Sequence, residues 1–403
     1  MSTSPHDRPA LSTRVIHGGQ HPESVTGAVM PPVFLSSTYA QPSPGEHTGF
    51  EYSRSHNPTR YALERCAADL EGTTITEDQD PSCGGFAFSS GMAGVGTALE
   101  LLDAGDHLIA MDDLYGGTNR LFSQVRQRSQ GLDIKYVDLT DLNAIEKAIT
   151  DRTRMIWIET PTNPMLKLAD LQAIADLARD RNILTVCDNT FATPMLQRPL
   201  EHGIDIVLHS VTKYLGGHSD VIGGLLVTNR MDLVERIRFL QNSVGSVLGA
   251  FDSYLALRGI KTLALRMRQH CTAALQIARW LESHDKIERV IYPALESHPQ
   301  YDIAQRQMLL DGKPAGGGMI TALLKGDLDA SRRFLENVKL FTLAESLGGV
   351  ESLIEHPAIM THAAVPAETR EELGIADNLV RFSVGIEDTD DLIGDLDSAL
   401  KSI

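Results

Sequence analysis

Between residues 92 and 228, the apolar positions alternate between helical spacing and short continuous runs. Leu171, Ile174, Ala175 and Ala178 follow the i, i+3, i+4, i+7 spacing of one helix face. Residues 204–208 are almost wholly apolar, as in strands that are covered on both faces. The predicted strands are 107–111, 134–137, 154–158, 183–187, 204–208 and 221–227, and the predicted helices are 92–102, 118–128, 142–149 and 171–178. This alternation predicts an α/β fold with a mainly parallel sheet flanked by helices.

The pattern differs at both ends of the chain. Residues 251–284 favour a helix interrupted near Arg258-Gly259, leading into a smaller α/β unit. The segments of that unit are 287–291, 317–324, 328–338, 379–384 and a final helix at 391–400. The first 59 residues have little periodicity and many prolines and glycines, which indicates an arm lying on another surface. A disordered tail is the alternative. The predicted domains are an N-terminal arm at 1–60, a large domain at 61–255 and a C-terminal domain at 256–403.

Composition narrows the functional classes. The 403 residues carry a formal net charge of −17 with no basic block, which argues against a nucleic-acid partner. No apolar run is long enough to span a membrane, and the N-terminus lacks the apolar centre of a signal peptide. Four scattered cysteines, with no C-x-x-C pair, fit neither a disulfide framework nor a zinc site. We therefore expect a cytoplasmic protein without a metal site.

A lysine follows one of the buried strands. Lys213 comes five residues after the run 204–208 and is flanked by the hydroxyls of Ser210 and Thr212. Ligands bind at the carboxyl ends of strands in open α/β sheets, so this lysine could form a Schiff base with an aldehyde cofactor. The hydroxyls would hold the cofactor's phosphate. The alternative is a solvated lysine in a glycine-rich turn.

Other candidate residues also follow predicted strands. Asp188 could pair with the ring nitrogen of a pyridine cofactor, although an aspartate at this place is often a turn or cap residue. The turn before Gly91 could cradle a phosphate at a helix N-terminus, or could be an ordinary N-cap. Tyr115 could stack on a planar ring, and Asn163 could hold a ring substituent, unless each is only a turn residue.

These residues belong to a series of motifs in a fixed order. The motifs are Tyr52-Ser53-Arg54, Asn57-Pro58-Thr59, Ser90-Gly91-Met92, Tyr115-Gly116-Gly117-Thr118, Glu159-Thr160-Pro161-Thr162-Asn163-Pro164, Asp188-Asn189-Thr190, Ser210-Val211-Thr212-Lys213, Ala344-Glu345-Ser346-Leu347-Gly348-Gly349 and Arg381 with Gly385-Ile386-Glu387-Asp388. Over nearly the whole chain, this series resembles the pyridoxal-phosphate enzymes of cysteine and methionine metabolism. The resemblance implies the fold-type I architecture of those transferase-like enzymes, with a seven-stranded sheet in the large domain and a smaller C-terminal α/β domain. Residues 73–85 and His56 depart from the family's usual pattern.

The resemblance also implies roles for the matched residues. Lys213 and Tyr115 are the expected catalytic residues: Lys213 forms the Schiff base with pyridoxal phosphate and Tyr115 stacks on its ring. Asp188 pairs with the ring nitrogen. The phosphate ligands are Gly91, Met92, Ser210 and Thr212, joined by Tyr52 and Arg54 from a neighbouring subunit. Enzymes of this family are typically homotetramers of two tight dimers, and the resemblance implies the same assembly here.

The same resemblance suggests how a substrate binds. Arg381 binds the α-carboxylate as a bidentate fork. The other substrate residues are Glu51, Tyr115, Arg120, Asn163, Glu345 and Ser346. Glu51 and Glu345 match a pair of acids that hold the distal ammonium of cystathionine, and Arg120 could take a substrate carboxylate.

These residues favour one reaction within the family. We expect γ-elimination of L-cystathionine to cysteine, 2-oxobutanoate and ammonia, with release of H2S from cysteine as a side activity. Gly117 stands where methionine γ-lyases carry a cysteine, which disfavours that activity. The alternative is γ-replacement of O-succinyl- or O-acetylhomoserine by cysteine. β-Elimination of cystathionine, or a non-catalytic scaffold, is less favoured.

Overall fold

The computed structural model describes residues 8–363 and 365–403. In chain order, helices α1 to α15 are Leu11–His17, Pro58–Glu71, Gly91–Leu99, Gly116–Arg120, Gln127–Ser129, Leu142–Ala148, Leu171–Arg179, Thr193–Leu196, Met231–Val244, Ala250–Ile260, Leu263–Glu282, Tyr301–Gln307, Leu328–Asn337, Ala367–Leu373 and Thr389–Leu400. Strands β1 to β14 are Gly85–Phe88, His107–Met111, Asp133–Val137, Thr153–Glu159, Leu184–Asp188, Ile206–Ser210, Gly224–Thr228, Ile287–Ile291, Leu309–Leu310, Lys313–Pro314, Met319–Leu324, Thr342–Leu343, Leu353–Glu355 and Leu379–Ser383.

The chain divides into two compact units, of which the first comprises residues up to 101 together with 205–265. Its strands β1 and β6 both pair antiparallel with β7. Helix α2 packs against α10, and it begins where Asn57 accepts hydrogen bonds from the backbone N–H groups of Thr59 and Arg60. All residues of β1 and β7 are buried, so both faces of these strands are covered.

The second unit comprises residues 102–204 and 266–403. In its first half, β5, β4, β2 and β3 pair in parallel in that order. Trp157 of β4 is fully buried and meets Phe122 edge-on, with ring centroids 5.3 Å apart. In its second half, β12, β13, β14, β11 and β8 form a separate five-stranded sheet. Phe382 of β14 packs against Phe341 and Phe334 in the core of that sheet.

The predicted fold class is confirmed. The large sheet has seven strands in the order β1-β7-β6-β5-β4-β2-β3, and the smaller C-terminal sheet has five. The antiparallel pairs that involve β7 explain why the large sheet is mainly rather than wholly parallel. The predicted domains 1–60, 61–255 and 256–403 are a different partition from the two compact units, and they stay a prediction. No helix in the described part of the chain is long and apolar enough to cross a bilayer.

Several predicted elements have different bounds in the structure. The helix predicted over 118–128 is divided, because a wider, π-type turn at Leu121–Arg126 separates α4 from α5. The strand predicted from 221 begins at Gly224, since Gly223 bonds instead to Val211 and Thr212. Helix α1 lies in the segment expected to lack periodicity, and its Val15 is buried. Helices α9, α12 and α14 were not predicted.

Candidate active site

In the first unit, the turn that carries Lys213 follows β6 directly. Residues Val211–Leu215 form one wide helical turn, in which Lys213 has the non-helical dihedrals φ −99° and ψ −133°. Thr212 bonds this turn to the backbone of Gly223. Its Oγ1 accepts a hydrogen bond from the Gly223 N–H at 3.2 Å and donates one to the Gly223 carbonyl at 3.3 Å. Lys213 itself is half-buried. The backbone thus fixes the direction from which the lysine amine can act.

A second turn of the first unit lies against Ser210. Ser90 caps helix α3 by accepting a hydrogen bond from the Ala93 N–H at 3.0 Å. A Cβ on Gly91 would come within 3.1 Å of the Ser210 Cβ, so glycine allows the two turns to touch. Met92 lies in the same first turn of α3. The backbone N–H groups at a helix start, beside the Ser210 hydroxyl, suit a phosphate group. These residues therefore fit a phosphorylated cofactor.

The arm residues of the first unit are exposed. The Arg54 guanidinium lies 5.7 Å from the centre of the Tyr52 ring, and its Nε donates to Asn242 Oδ1 at 3.2 Å. Glu51 is exposed beside them. Tyr52 and Arg54 are thus accessible in a single chain, and their predicted contact with the cofactor of a neighbouring subunit stays a prediction.

In the second unit, Tyr115 follows β2 with its ring 41% exposed. Its backbone N–H donates to Glu159 Oε2 at 2.9 Å. A Cβ on Gly117 would lie 2.4 Å from the tyrosine ring, so this glycine makes room for the ring. Burial raises the pKa of Tyr115, Arg120 opposes that rise and Glu345 adds to it, so both charged side chains act on the phenol.

Arg381 lies in the middle of β14 and is 2% exposed. Its guanidinium donates to Asn163 Oδ1 at 2.9 Å and to the Ser346 carbonyl at 2.8 Å. The same group forms an ion pair with Glu355 at 2.8 Å. Ser346 has a left-handed φ of +91°, a costly conformation for serine that turns its carbonyl toward the arginine. Glu355 was missed in the sequence because no motif marks it.

Asp188 and Glu159 are the last residues of adjacent strands. They are register partners in the β4–β5 ladder. Asp188 is half-buried and accepts a hydrogen bond from the Thr190 N–H at 3.0 Å. Glu159 is only 5% exposed, and its burial and the nearby Asp188 raise the pKa of Glu159 well above its ordinary value.

Each unit therefore assembles part of the predicted site. The first unit brings Gly91 beside Ser210, in the turn region that also carries Lys213. The second unit gathers the predicted substrate residues Tyr115, Arg120, Asn163, Glu345, Ser346 and Arg381.

The sequence model described as "Cys/Met metabolism PLP-dependent enzyme" matches residues 12–401. The chain belongs to this family. Its cofactor is therefore pyridoxal 5′-phosphate, and the resemblance inferred from the motifs is confirmed.

Individual relatives agree on the chemistry and differ in the bond they break. A relative from Coxiella burnetii (strain RSA 493 / Nine Mile phase I), named cystathionine beta-lyase, is 55% identical over 99% of this chain and 100% of its own length. One from Dictyostelium discoideum, named cystathionine gamma-lyase, is 52% identical over 97% of both chains. The crystal structure of cystathionine gamma-lyase from Lactobacillus plantarum complexed with L-serine has a TM-score of 0.92 and 45% identity, covering 98% of this chain and 99% of that one. The chain is thus a PLP-dependent lyase of cysteine and methionine metabolism.

Proposed function

We propose that this enzyme catalyses γ-elimination of L-cystathionine to cysteine, 2-oxobutanoate and ammonia. The observation that supports cystathionine as the substrate is the pair of opposite charges, Arg120 and Glu345, that act on the Tyr115 phenol. The choice of the γ position rests on the relatives named cystathionine gamma-lyase. Both side chains are exposed. A pair of this kind matches the carboxylate and ammonium of a distal amino-acid head, which cystathionine has and cysteine lacks.

The residues around Arg381 supply the other end of the substrate site. Its buried guanidinium binds the α-carboxylate of the reacting half, and Asn163 and the Ser346 carbonyl fix the plane of the guanidinium. The bond to be broken then lies between a fixed carboxylate at Arg381 and a distal head at Arg120 and Glu345. Glu51, if contributed by the arm of a neighbouring subunit, adds a second acid for the distal ammonium.

Proton transfer belongs to Lys213. Pyridoxal phosphate, when bound, serves as an electron sink for the bonds at Cα. The Lys213 amine would remove the Cα proton and then a Cβ proton of the bound amino acid. The bond between Cγ and sulfur would break with its electron pair going to sulfur, the departing cysteine would take up a proton, and water would release the remaining four carbons as 2-oxobutanoate and ammonia. Asp188 holds the cofactor ring nitrogen, while Gly91, Met92, Ser210 and Thr212 hold its phosphate. The ring of Tyr115, a residue that is 41% exposed, stacks on the cofactor.

The proposal includes an assembly in which sites are shared. Tyr52 and Arg54 bind the phosphate of a neighbouring subunit, which makes the dimer the smallest complete unit, and two such dimers form a tetramer. The support is the exposure of both side chains in the single chain.

Product analysis tests the reaction. Cystathionine incubated with the purified holoenzyme should give cysteine and 2-oxobutanoate; homocysteine and pyruvate would instead indicate β-elimination, the activity named for the Coxiella relative. A parallel incubation of O-succinyl- or O-acetylhomoserine with cysteine measures γ-replacement. If cystathionine accumulates there faster than it is consumed in the first assay, the enzyme is a synthase. Cysteine alone should release sulfide more slowly than cystathionine releases cysteine.

A further inference from the structure

A buried carboxyl group connects two turns of the proposed site. Glu159, at the end of β4, accepts the Tyr115 N–H at 2.9 Å and also accepts a backbone hydrogen bond from Asn163. Tyr115 is the proposed stacking residue, and the side chain of Asn163 binds Arg381. One carboxyl group therefore spans the turn that meets the cofactor and the turn that orients the substrate-binding arginine.

The same carboxyl group lies beside Asp188. Register partners on adjacent strands project from the same face of a sheet, so Glu159 and Asp188 are side by side. The charged groups that act most strongly on Glu159 are Asp188 and Asp113, and both are acidic. A buried carboxylate beside a half-buried one cannot ionise cheaply while its neighbour is charged, so one of the two retains a proton.

The surroundings decide which of the two acids is protonated. Glu159 is 5% exposed, so its ionised form would lose nearly all hydration. Asp188 is more accessible and accepts the Thr190 N–H, which favours its anion. A protonated Glu159 can still accept the two backbone hydrogen bonds, because a carboxylic acid keeps its carbonyl lone pairs.

We propose that Glu159 is a positioning residue that holds a proton, so that Asp188 alone of this pair keeps the negative charge, while the Glu159 carboxyl group joins the Tyr115 turn to the Asn163 turn. The charge on Asp188 is then available to the cofactor ring nitrogen, a role that rests on the proposed function. Glu159 touches neither the substrate nor the reacting atoms.

Two substitutions in the holoenzyme separate the charge of Glu159 from its hydrogen bonds. Glu159→Gln is neutral and keeps an acceptor, so the Kd for the cofactor and the pH dependence of its absorbance should remain within about twofold and half a pH unit of wild type. Glu159→Ala removes the acceptor shared by both turns. We expect its kcat/KM for an amino-acid substrate to fall about tenfold or more, mainly through KM, together with a changed cofactor spectrum.

An infrared difference spectrum reports the proton directly. The spectrum of wild type minus the spectrum of Glu159→Gln, both recorded at neutral pH, should contain the C=O band of a carboxylic acid. The matched control is Glu146→Gln, because the Glu146 side chain is 59% exposed and paired with Arg181. The difference spectrum of wild type minus Glu146→Gln should contain carboxylate bands instead. A carboxylate signal from Glu159 would overturn the proposal.

Two further outcomes would also overturn it. If Glu159→Gln and Glu159→Ala lower kcat/KM equally, a neutral group with a hydrogen-bond acceptor does not suffice at this position, and the protonated form of Glu159 is not the functional one. If Glu159→Ala lowers the thermal midpoint but leaves KM and the cofactor spectrum unchanged, the role is merely structural. These readouts do not depend on which bond of cystathionine breaks, so pyruvate as the product would refute the proposed γ-elimination and leave this inference standing. An unchanged cofactor spectrum in Asp188→Asn would refute the proposed role of Asp188 separately.

Discussion

Arg381 and Asn163, separated by 218 residues in the sequence, are joined by a 2.9 Å hydrogen bond from the guanidinium to the amide oxygen. This bond fixes the plane of the guanidinium, and a bidentate contact with a carboxylate depends on that plane. The ion pair with Glu355 compensates the buried positive charge of Arg381, which is 2% exposed.

Replacing Arg381 with lysine should retain the positive charge and lose the bidentate hydrogen bonds that a guanidinium makes to a carboxylate. We expect kcat/KM for cystathionine to fall roughly ten- to a hundredfold, since a charge-assisted hydrogen bond contributes about 1.5–3 kcal/mol. Steady-state kinetics measure the loss, and the cofactor spectrum should remain that of wild type. Arg332→Lys, on an exposed helix surface, is the control. Unchanged kinetics in Arg381→Lys would mean that the α-carboxylate binds elsewhere.

Lys213→Ala should give a folded protein that cannot attach the cofactor covalently. Borohydride reduction followed by peptide mapping should find the cofactor on the Lys213 peptide of wild type and on no peptide of the variant. Lys135, exposed on β3, offers a matched Lys→Ala control with wild-type labelling. Near-normal turnover by Lys213→Ala would exclude this lysine as the catalytic base.

Arg54→Ala should weaken the binding of pyridoxal phosphate about tenfold or more, because a charge-assisted contact with a phosphate dianion is lost. Asn242→Ala removes the partner that Arg54 has within its own chain and should have a smaller effect. Equilibrium dialysis measures both Kd values. Because the contact is proposed to cross between subunits, dilution of wild type to monomers should also release cofactor. A dilute monomer that is fully active and retains its cofactor would contradict the shared site.

Glu51→Ala and Glu345→Ala should each raise KM for cystathionine more than KM for cysteine, which has no distal ammonium. We expect kcat/KM for cystathionine to fall roughly ten- to a hundredfold if the contact is desolvated, and by well under tenfold if it stays hydrated. Glu368→Ala, on an exposed helix, is the control. Equal losses on the two substrates would show that these acids do not recognise the distal group.

Asp113 should make the stability of the protein depend on pH. Its burial raises the pKa of this carboxyl from 3.8 to about 6, an effect that the Thr162 hydroxyl partly opposes. Because the pKa is higher in the folded than in the unfolded protein, Asp113 contributes most to the free energy of unfolding below pH 3.8, where its carboxyl is protonated in both states. This contribution is lost as the pH rises through 6. Relative to wild type, Asp113→Asn should therefore gain about 2 kcal/mol in free energy of unfolding between pH 4 and pH 7.

Denaturant unfolding of the apoprotein at a series of pH values measures that gain. Asp133→Asn, at a half-exposed residue paired with Arg152, provides the comparison and should follow wild type across the range. A difference between Asp113→Asn and wild type that does not change from pH 4 to pH 7 would mean that Asp113 is ionised throughout.

The sequence by itself determined which segments are buried. Strands β2 and β8 have the predicted bounds. In β2 the largely apolar run is buried along its whole length, as expected for a strand that is covered on both faces. Helix α7 has a buried face at Leu171, Ile174, Ala175 and Ala178, as its spacing predicts. The family motifs were also readable, since each is a local string of residues at a strand end.

Tertiary structure alone decided how distant charges meet. Glu355 faces Arg381 because β13 pairs antiparallel with β14 in a register that puts these two residues opposite each other. Glu159 stands beside Asp188 for the same reason in the β4–β5 ladder. A shift of one residue in either ladder would turn a carboxyl group to the opposite face of its sheet. The sequence names the charged residues, and the strand register determines which of them interact, because the free energy of a buried charge depends on its nearest partner.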